Sequence, residues 1–241
     1  MPPALLEIRR NFRVKSTAFP RPNWNAVDVA VLDMDGTLLD LHFDHQVWNV
    51  LLPKRYGELH CIDELEARER INCFLDEHRG TLSWYCLDFW SETLKIEMRE
   101  LEAELDYLIS LRPGARGFLE WLKGLGLRLV LATNAHPTSL ERKLKITGIG
   151  RYFDGVVSAH TVGAAKESSE FWIEFERRYE LACDRTVLID DNHAVLRTAS
   201  DHGIAHVYGI SQPDSRRTPV EETAFPCVRS FSDLAGQILA D

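Results

Sequence analysis

The feature that most restricts this chain is a short, apolar, β-branched run, Val27-Asp28-Val29-Ala30-Val31-Leu32, that stops at Asp33-Met34-Asp35-Gly36-Thr37. Such a run, closed by an Asp-Gly turn, reads as a parallel strand buried on both faces. Runs of the same kind recur at Arg128 to Thr133, Gly155 to Ser158 and Thr186 to Asp190, with His206 to Gly209 as a fifth. Helical stretches lie between them, over about Pro113 to Leu125, Pro137 to Thr147, Ser168 to Leu181 and His193 to Asp201. Strands alternating with helices predict βαβ units and therefore an α/β fold with a parallel sheet covered by helices.

Several of these strands end in a polar or acidic residue. Ligands of open α/β sheets sit beyond the carboxyl ends of the strands, so Asp33, Thr133 and Asp190 are expected to meet at one rim. Between the first and second strands lies a segment of about Asp40 to Leu111, far longer than an ordinary βα connection. It reads as helical, with one helix over Asp63 to Glu77 and two more over Ser83 to Lys95 and Met98 to Ser110. These observations predict an N-terminal extension (1–24), a core domain (25–40 and 112–241) and an inserted helical cap domain (41–111).

Composition removes other classes of function. Of 241 residues, 45% are hydrophobic, enough to bury a real core, and the formal net charge is −9. That acidic balance argues against a surface for polymeric nucleic acid, which needs a cationic excess. It leaves room for a small phosphorylated substrate, whose charge a local metal ion and one or two lysines can offset. No apolar run approaches the roughly 20 residues that span a bilayer, so no membrane partner is expected. The N-terminal stretch carries Arg9, Arg10, Arg13, Lys15 and Arg21 without an apolar core of its own, unlike a secretory signal. The five cysteines (Cys61, Cys73, Cys86, Cys183, Cys227) are odd in number and show no CxxC spacing. They read as free, mostly buried thiols of a cytoplasmic protein.

Four elements carry the chemistry. In Asp33-Met34-Asp35-Gly36-Thr37, two carboxylates stand one residue apart and can divide the work between them. One attacks phosphorus, and the other gives and then takes a proton. Gly36 allows the turn without a Cβ penalty. Thr133-Asn134 can hold phosphate oxygens or cap the helix before Pro137. His136 beside them is a further candidate, though a histidine near a rim is more often structural. Lys166, after the third strand, can offset the carboxylates and grip phosphate, whereas a lone loop lysine is usually solvated. Asp190-Asp191 sets two repelling carboxylates on a strand tip, which calls for a cation. With Asp33 they form a hard oxygen set that suits Mg²⁺.

In this order and context, DMDGT (33–37), Thr133, Lys166 and DD (190–191) resemble the four motifs of the haloacid dehalogenase (HAD) superfamily. The resemblance covers the chain from Val27 onward. It implies a Rossmann-like HAD core with a helical cap of the first (C1) type, an aspartyl-phosphate at Asp33, and Asp35 as general acid and base. It also implies Mg²⁺ held by Asp33, the backbone carbonyl of Asp35 and Asp190, with Asp191 a ligand or close neighbour. DMDGTLLDLHFD (33–44), SWYCLDFW (83–90), TNAH (133–136) and QPDS (212–215) further resemble bacterial GMP/IMP 5′-nucleotidases, which implies a purine nucleoside monophosphate as substrate. One departure stands out: the lysine motif is Ala-Ala-Lys-Glu-Ser, where many superfamily members have Lys-Pro.

Candidate substrate contacts are His42, Phe43 and Asp44 at the cap hinge, with Trp84, Tyr85 and Asp88 in the cap and His136 on the core side. Rings at helical spacing, including Trp90, are as a rule core residues. The alternatives are a phosphatase for another small ester such as phosphoglycolate or a sugar phosphate, a phosphomutase of the β-phosphoglucomutase kind, and a non-catalytic HAD-like binding module. A metal-free dehalogenase would not need Asp35 or the magnesium carboxylates.

Overall fold

The computed structural model describes residues 20–220 and 224–239. The expectations for Arg9, Arg10, Arg13 and Lys15 lie outside the described residues. Six parallel strands form one sheet: β1 (Val29–Leu32), β2 (Arg128–Thr133), β3 (Gly155–Ser158), β4 (Thr186–Asp190), β5 (His206–Ile210) and β6 (Cys227–Val228). Their order is β3-β2-β1-β4-β5-β6. The chain therefore reverses its direction of winding beside β1, the crevice where open α/β sheets bind ligands.

Period-two alternation sends β1 to two different cores. Ala30 and Leu32 pack on one face with Leu129, Leu131, Val187 and Ile189. Val29 and Val31 pack on the other with Val130, Ala132 and Leu188. Both sets are buried, which is why these strands read as continuous apolar runs. The helices are α1 (His42–Gln46), α2 (Leu52–His60), α3 (Glu64–His78), α4 (Leu87–Leu94), α5 (Met98–Ala103), α6 (Ala115–Gly124), α7 (Pro137–Thr147), α8 (Ala159–Val162), α9 (Ser169–Tyr179), α10 (His193–His202) and α11 (Phe231–Ala235). Helices α9 and α10 cover the second face through Phe171, Trp172, Phe175 and Leu196. On the first face Phe118 of α6 stacks on Phe231 of α11 (4.8 Å) and on Trp121 (5.8 Å).

Between β1 and β2 the segment is helical, with differences from expectation. Residues before Asp63 form α1, a π-helical turn (Val47–Leu51) and α2. The single helix expected over Ser83 to Lys95 is two pieces, a 3₁₀ turn (Leu82–Tyr85) and α4, because Cys86 is extended. The break lets Trp90 Nε1 donate to the carbonyl of Trp84 (2.8 Å). Likewise α5 ends at Ala103, and a 3₁₀ turn follows at Asp106–Leu108. The thiols are free, but none is buried: Cys61 and Cys73 are exposed and the others half-buried. Cys61 sits in left-handed conformation (φ 53°) at the end of α2, outside any core. β6 was not foreseen, since two residues carry no readable period.

Phe118 is fully buried at the junction of α6, α11 and the sheet. Phe118→Ala is expected to cost about 3–5 kcal/mol of unfolding free energy, by lost transfer and a residual cavity. Chemical denaturation of the two proteins checks this.

Candidate active site

The rim expected at the strand ends is present. Asp33 follows β1 directly, its N–H donating to the Ile189 carbonyl of β4 (3.0 Å), which places it level with Asp190. Carboxylate oxygens of Asp33, Asp190 and Asp191 lie within 4.8 Å of one another. Lys166 Nζ, 2% exposed, donates to Asp33 Oδ1 (2.5 Å), Asp190 Oδ2 (2.7 Å) and the Ala132 carbonyl (3.0 Å). Burial raises the Asp33 carboxyl to about 7 against the opposing pull of Lys166. Burial likewise raises Asp190 and, with the charges of Asp33 and Asp190 added, lifts Asp191 well above the carboxylate range. For Lys166, burial works against the charge, but Asp190 and Asp33 outweigh it and hold the ammonium protonated.

The turn from Asp33 to Thr37 is made to approach Asp191. Gly36 has φ +81°, and a Cβ there would lie 2.4 Å from Asp191 Oδ2 and 3.1 Å from Pro213 Cβ. Only glycine tolerates both the conformation and the contact. Arg112, buried after the helical segment, donates from Nη1 to the Gly36 carbonyl (2.9 Å) and fixes the same turn. The QPDS stretch (212–215) supports it from the other side: Leu41 N–H donates to the Pro213 carbonyl (3.0 Å) and Ser215 N–H to Asp40 Oδ1 (3.2 Å).

Asp33 Oδ2 is buried and makes no hydrogen bond among the described residues. An orphaned carboxylate oxygen beside two further carboxylates is what a divalent cation with oxygen ligands requires, so the residues present fit Mg²⁺.

The residues expected to hold phosphate take distinct positions. Thr133 Oγ1 accepts from Ala135 N–H (3.0 Å), which leaves its hydroxyl proton to donate elsewhere. Asn134 is engaged at both ends: Oδ1 accepts from Lys166 N–H (2.9 Å), and Nδ2 donates to Glu167 (2.8 Å). Its side chain braces the lysine loop. Glu167 also accepts from Asn192 Nδ2 (2.9 Å) and Tyr85 Oη (2.5 Å). The unusual Lys-Glu pair thus ties both ends of the site and the helical segment to the lysine loop.

A cavity of about 840 Å³ opens above this floor. Asp33, Asp35, Thr133, Asn134, Lys166, Asp190 and Asp191 all line it, as do Asp44, Trp84, Tyr85 and His136. His136 is the N-cap of α7, its Nδ1 accepting from Thr138 N–H (3.3 Å); this assigns the ring proton to Nε2, and burial holds the ring's pKa down. His42 and Phe43 are buried off the cavity, His42 3.7 Å from Asp214 and Phe43 within the core. Asp88 does not line the cavity; it pairs with Arg99 (2.5 Å) and lies 3.6 Å from Nε2 of the cavity-lining His136. Trp90 is fully buried core. Cavity residues not foreseen include Asn49, Asn72, Arg79 and Lys143. The first two carry only the signature of polar helix positions, and Arg79 that of a charged residue just past a helix end. Lys143 lies in α7 among other charged residues and gives no hint of its burial.

Residues 27–203 match the haloacid dehalogenase-like hydrolase family, and the chain belongs to it. Within that family it is an enzyme of the phosphoric monoester hydrolase kind. It is 36% identical to GMP/IMP nucleotidase YrfG of Escherichia coli (strain K12) over 216 residues, 90% of this chain and 97% of that protein. It is 23% identical over 197 residues to a phosphorylated carbohydrates phosphatase of Thermotoga maritima, covering 76% of this chain and 85% of the relative. Among solved structures, the HAD phosphatase from Thermococcus onnurineus superposes with a TM-score of 0.72 at 22% identity, over 87% of this chain and 97% of that one.

Asp44 supplies a test of the electrostatics. Burial first, then Asp35, raises its carboxyl to about 7 despite Lys143. A carboxyl with a raised folded-state value prefers its neutral form, so its contribution to stability is full below about 3.8 and is lost as pH rises through about 7. In chelator, Asp44→Asn should therefore gain stability relative to wild type across that window and hold the gain above it. Thermal melts of both proteins from pH 4 to pH 8 check this.

Proposed function

We propose that this chain is a Mg²⁺-dependent 5′-nucleotidase that hydrolyses purine nucleoside monophosphates through an aspartyl-phosphate at Asp33. One observation carries the reading: a nucleophile, a second carboxyl, a buried lysine and a cation-fitting carboxylate set line one cavity whose other walls include Trp48, Trp84, Asn49 and Asn72.

Asp33, the backbone carbonyl of Asp35, Asp190 and Asp191 would hold Mg²⁺. When bound, the ion neutralises phosphate charge and polarises the phosphoryl group. Lys166 and the Thr133 hydroxyl hold phosphate oxygens against Asp33. A carboxylate oxygen of Asp33 attacks phosphorus in line, and the bond to the 5′ oxygen breaks. Asp35 gives its proton to that oxygen, and nucleoside leaves. A water then attacks the phosphorus and passes its proton to Asp35; the bond to Asp33 breaks, and inorganic phosphate departs.

The cavity volume suits a nucleotide-sized ligand. Trp84 and Trp48 supply rings for stacking on a base, and Asn49, Asn72 and Arg79 supply donors for the 6-oxo and N7 acceptors that GMP and IMP share. Residues 41–111 act as the cap that excludes water and selects the leaving group. Tyr85 to Glu167 and Arg142 to Asp106 (3.1 Å) are contacts between that segment and the core that support this role. Five free thiols support a cytoplasmic setting. Among the described residues, no helix is long and apolar enough to cross a membrane. The second reading, a sugar phosphatase, draws on the Thermotoga maritima relative.

Phosphate release from GMP and IMP should need Mg²⁺ and fall by more than about 10³-fold in Asp33→Asn. Across a panel, kcat/KM for GMP and IMP should exceed those for AMP and for sugar phosphates. Activity surviving in Asp33→Asn would remove the mechanism, and a preference for sugar phosphates would remove the nucleotidase reading.

A further inference from the structure

Lys143 is the most deeply placed cation above the metal-fitting floor, and the mechanism just described gives it nothing to do. Its side chain is 2% exposed in the middle of α7. Nζ donates to Asp35 Oδ1 (2.7 Å) and to Asp44 Oδ1 (2.8 Å), and it lies 4.8 Å from the centroid of the buried Phe43 ring. Glu102 of α5 acts on it electrostatically and is itself fixed by Ser139 of α7 (3.2 Å). Burial alone would discharge this amine, but Asp35, Asp44 and Glu102 outweigh it and keep it an ammonium. A lysine is not buried among three carboxyls by chance of packing. Isolated burial of its charge is strongly unfavourable, so the arrangement persists only because the carboxyls need the cation.

The geometry has a chemical consequence at Asp35. An ammonium has three donors and no acceptor. With Oδ1 of Asp35 receiving its hydrogen bond, a proton on Asp35 is favoured on Oδ2, the oxygen the ammonium leaves free. The side chain is held at the same time by a residue of the core helix α7, which is tied to Asp44 of α1 and to Glu102 of α5. We propose that Lys143 is a positioning residue for proton transfer. It fixes which oxygen of Asp35 carries the proton to the leaving 5′ oxygen, and it links that orientation to the seating of α1 and α5 over the site. The proposal rests on the phosphomonoesterase reading, with Asp35 as the acid.

The leaving group separates this role from a structural one. A nucleoside alkoxide needs the proton; p-nitrophenolate leaves without it. General acid help of this kind is worth about 10²-fold or more. In Lys143→Met, kcat/KM for GMP should fall by about 10²-fold, and that for p-nitrophenyl phosphate by less than about 10-fold. The ratio of the two constants is the readout, because a smaller folded fraction lowers both alike. Lys143→Arg, which keeps a cation at the site, should recover part of the ratio.

Lys143→Met leaves the buried Glu102 and the partly exposed Asp35 and Asp44 without their cation, so a charge-compensated pair is measured as well. Lys143→Met/Asp44→Asn removes the cation together with one of its carboxyl partners and is compared with Asp44→Asn alone. The same selective loss on GMP is expected there. Equal losses on both substrates in this pair would overturn the proposal while leaving the phosphatase reading intact. Wild type inactive on both substrates with Mg²⁺ present would overturn that reading itself.

Discussion

A single ammonium laces the working edge of the sheet. Lys166 Nζ reaches the Ala132 carbonyl of β2, Asp33 at the end of β1 and Asp190 at the end of β4, so one cation joins three adjacent strands at their tips. Without it, two buried carboxylates on neighbouring strands would face each other in a medium of low dielectric, and one would have to take up a proton. The lysine is in turn held from behind. Asn134 receives its backbone N–H, and Glu167 next to it gathers Asn134, Asn192 and Tyr85. The site is therefore assembled around charge compensation, and the loops around the rim are shaped to deliver it.

The charges fall into two tiers. The lower tier sets Lys166 against Asp33, Asp190 and Asp191; the upper sets Lys143 against Asp35, Asp44 and Glu102. Each tier has one lysine for three carboxyls, and the two meet in the short Asp33-Met34-Asp35 segment. The lower tier is where a divalent ion would fit, since carboxylate oxygens of Asp33, Asp190 and Asp191 lie within 4.8 Å of one another and Asp33 Oδ2 lacks a partner among the described residues. In the upper tier the carboxyls come from the catalytic loop and from α1 and α5, while the cation comes from α7. Segments far apart in the chain thus converge on the residue assigned to proton transfer.

Much of this was legible in the sequence because parallel strands buried on both faces write themselves as continuous apolar runs. β2, β3 and β4 span the residues expected, and the carboxylates at the ends of β1 and β4 could be placed at one rim by topology alone. What stayed hidden depends on tertiary contact. Lys143 occupies a helix turn, Glu-Arg-Lys-Leu-Lys, that looks solvated; only the approach of α1 and α5 buries it. Cys86 interrupts an apolar aromatic stretch that has good helical period, and its extended backbone lets the indole of Trp90 reach the carbonyl of Trp84. His42 and Phe43 follow the catalytic loop closely in sequence, yet pack away from the cavity. The Lys-Glu departure from the related Lys-Pro pattern looked like an irregularity, whereas Glu167 proves to be the acceptor for three side chains.

The proposed chemistry depends on Asp33 being the group that receives phosphorus while Asp190 and Asp191 face the same cation. The most direct measurement is a crystal structure with Mg²⁺ and beryllofluoride, a mimic of the phosphorylated carboxylate. The expected result is a trifluoroberyllate bonded to an Asp33 oxygen, in contact with Lys166 and Thr133, and one Mg²⁺ bridging it to Asp190. An adduct on Asp35, or an ion bound away from the Asp33, Asp190 and Asp191 carboxylates, would contradict it.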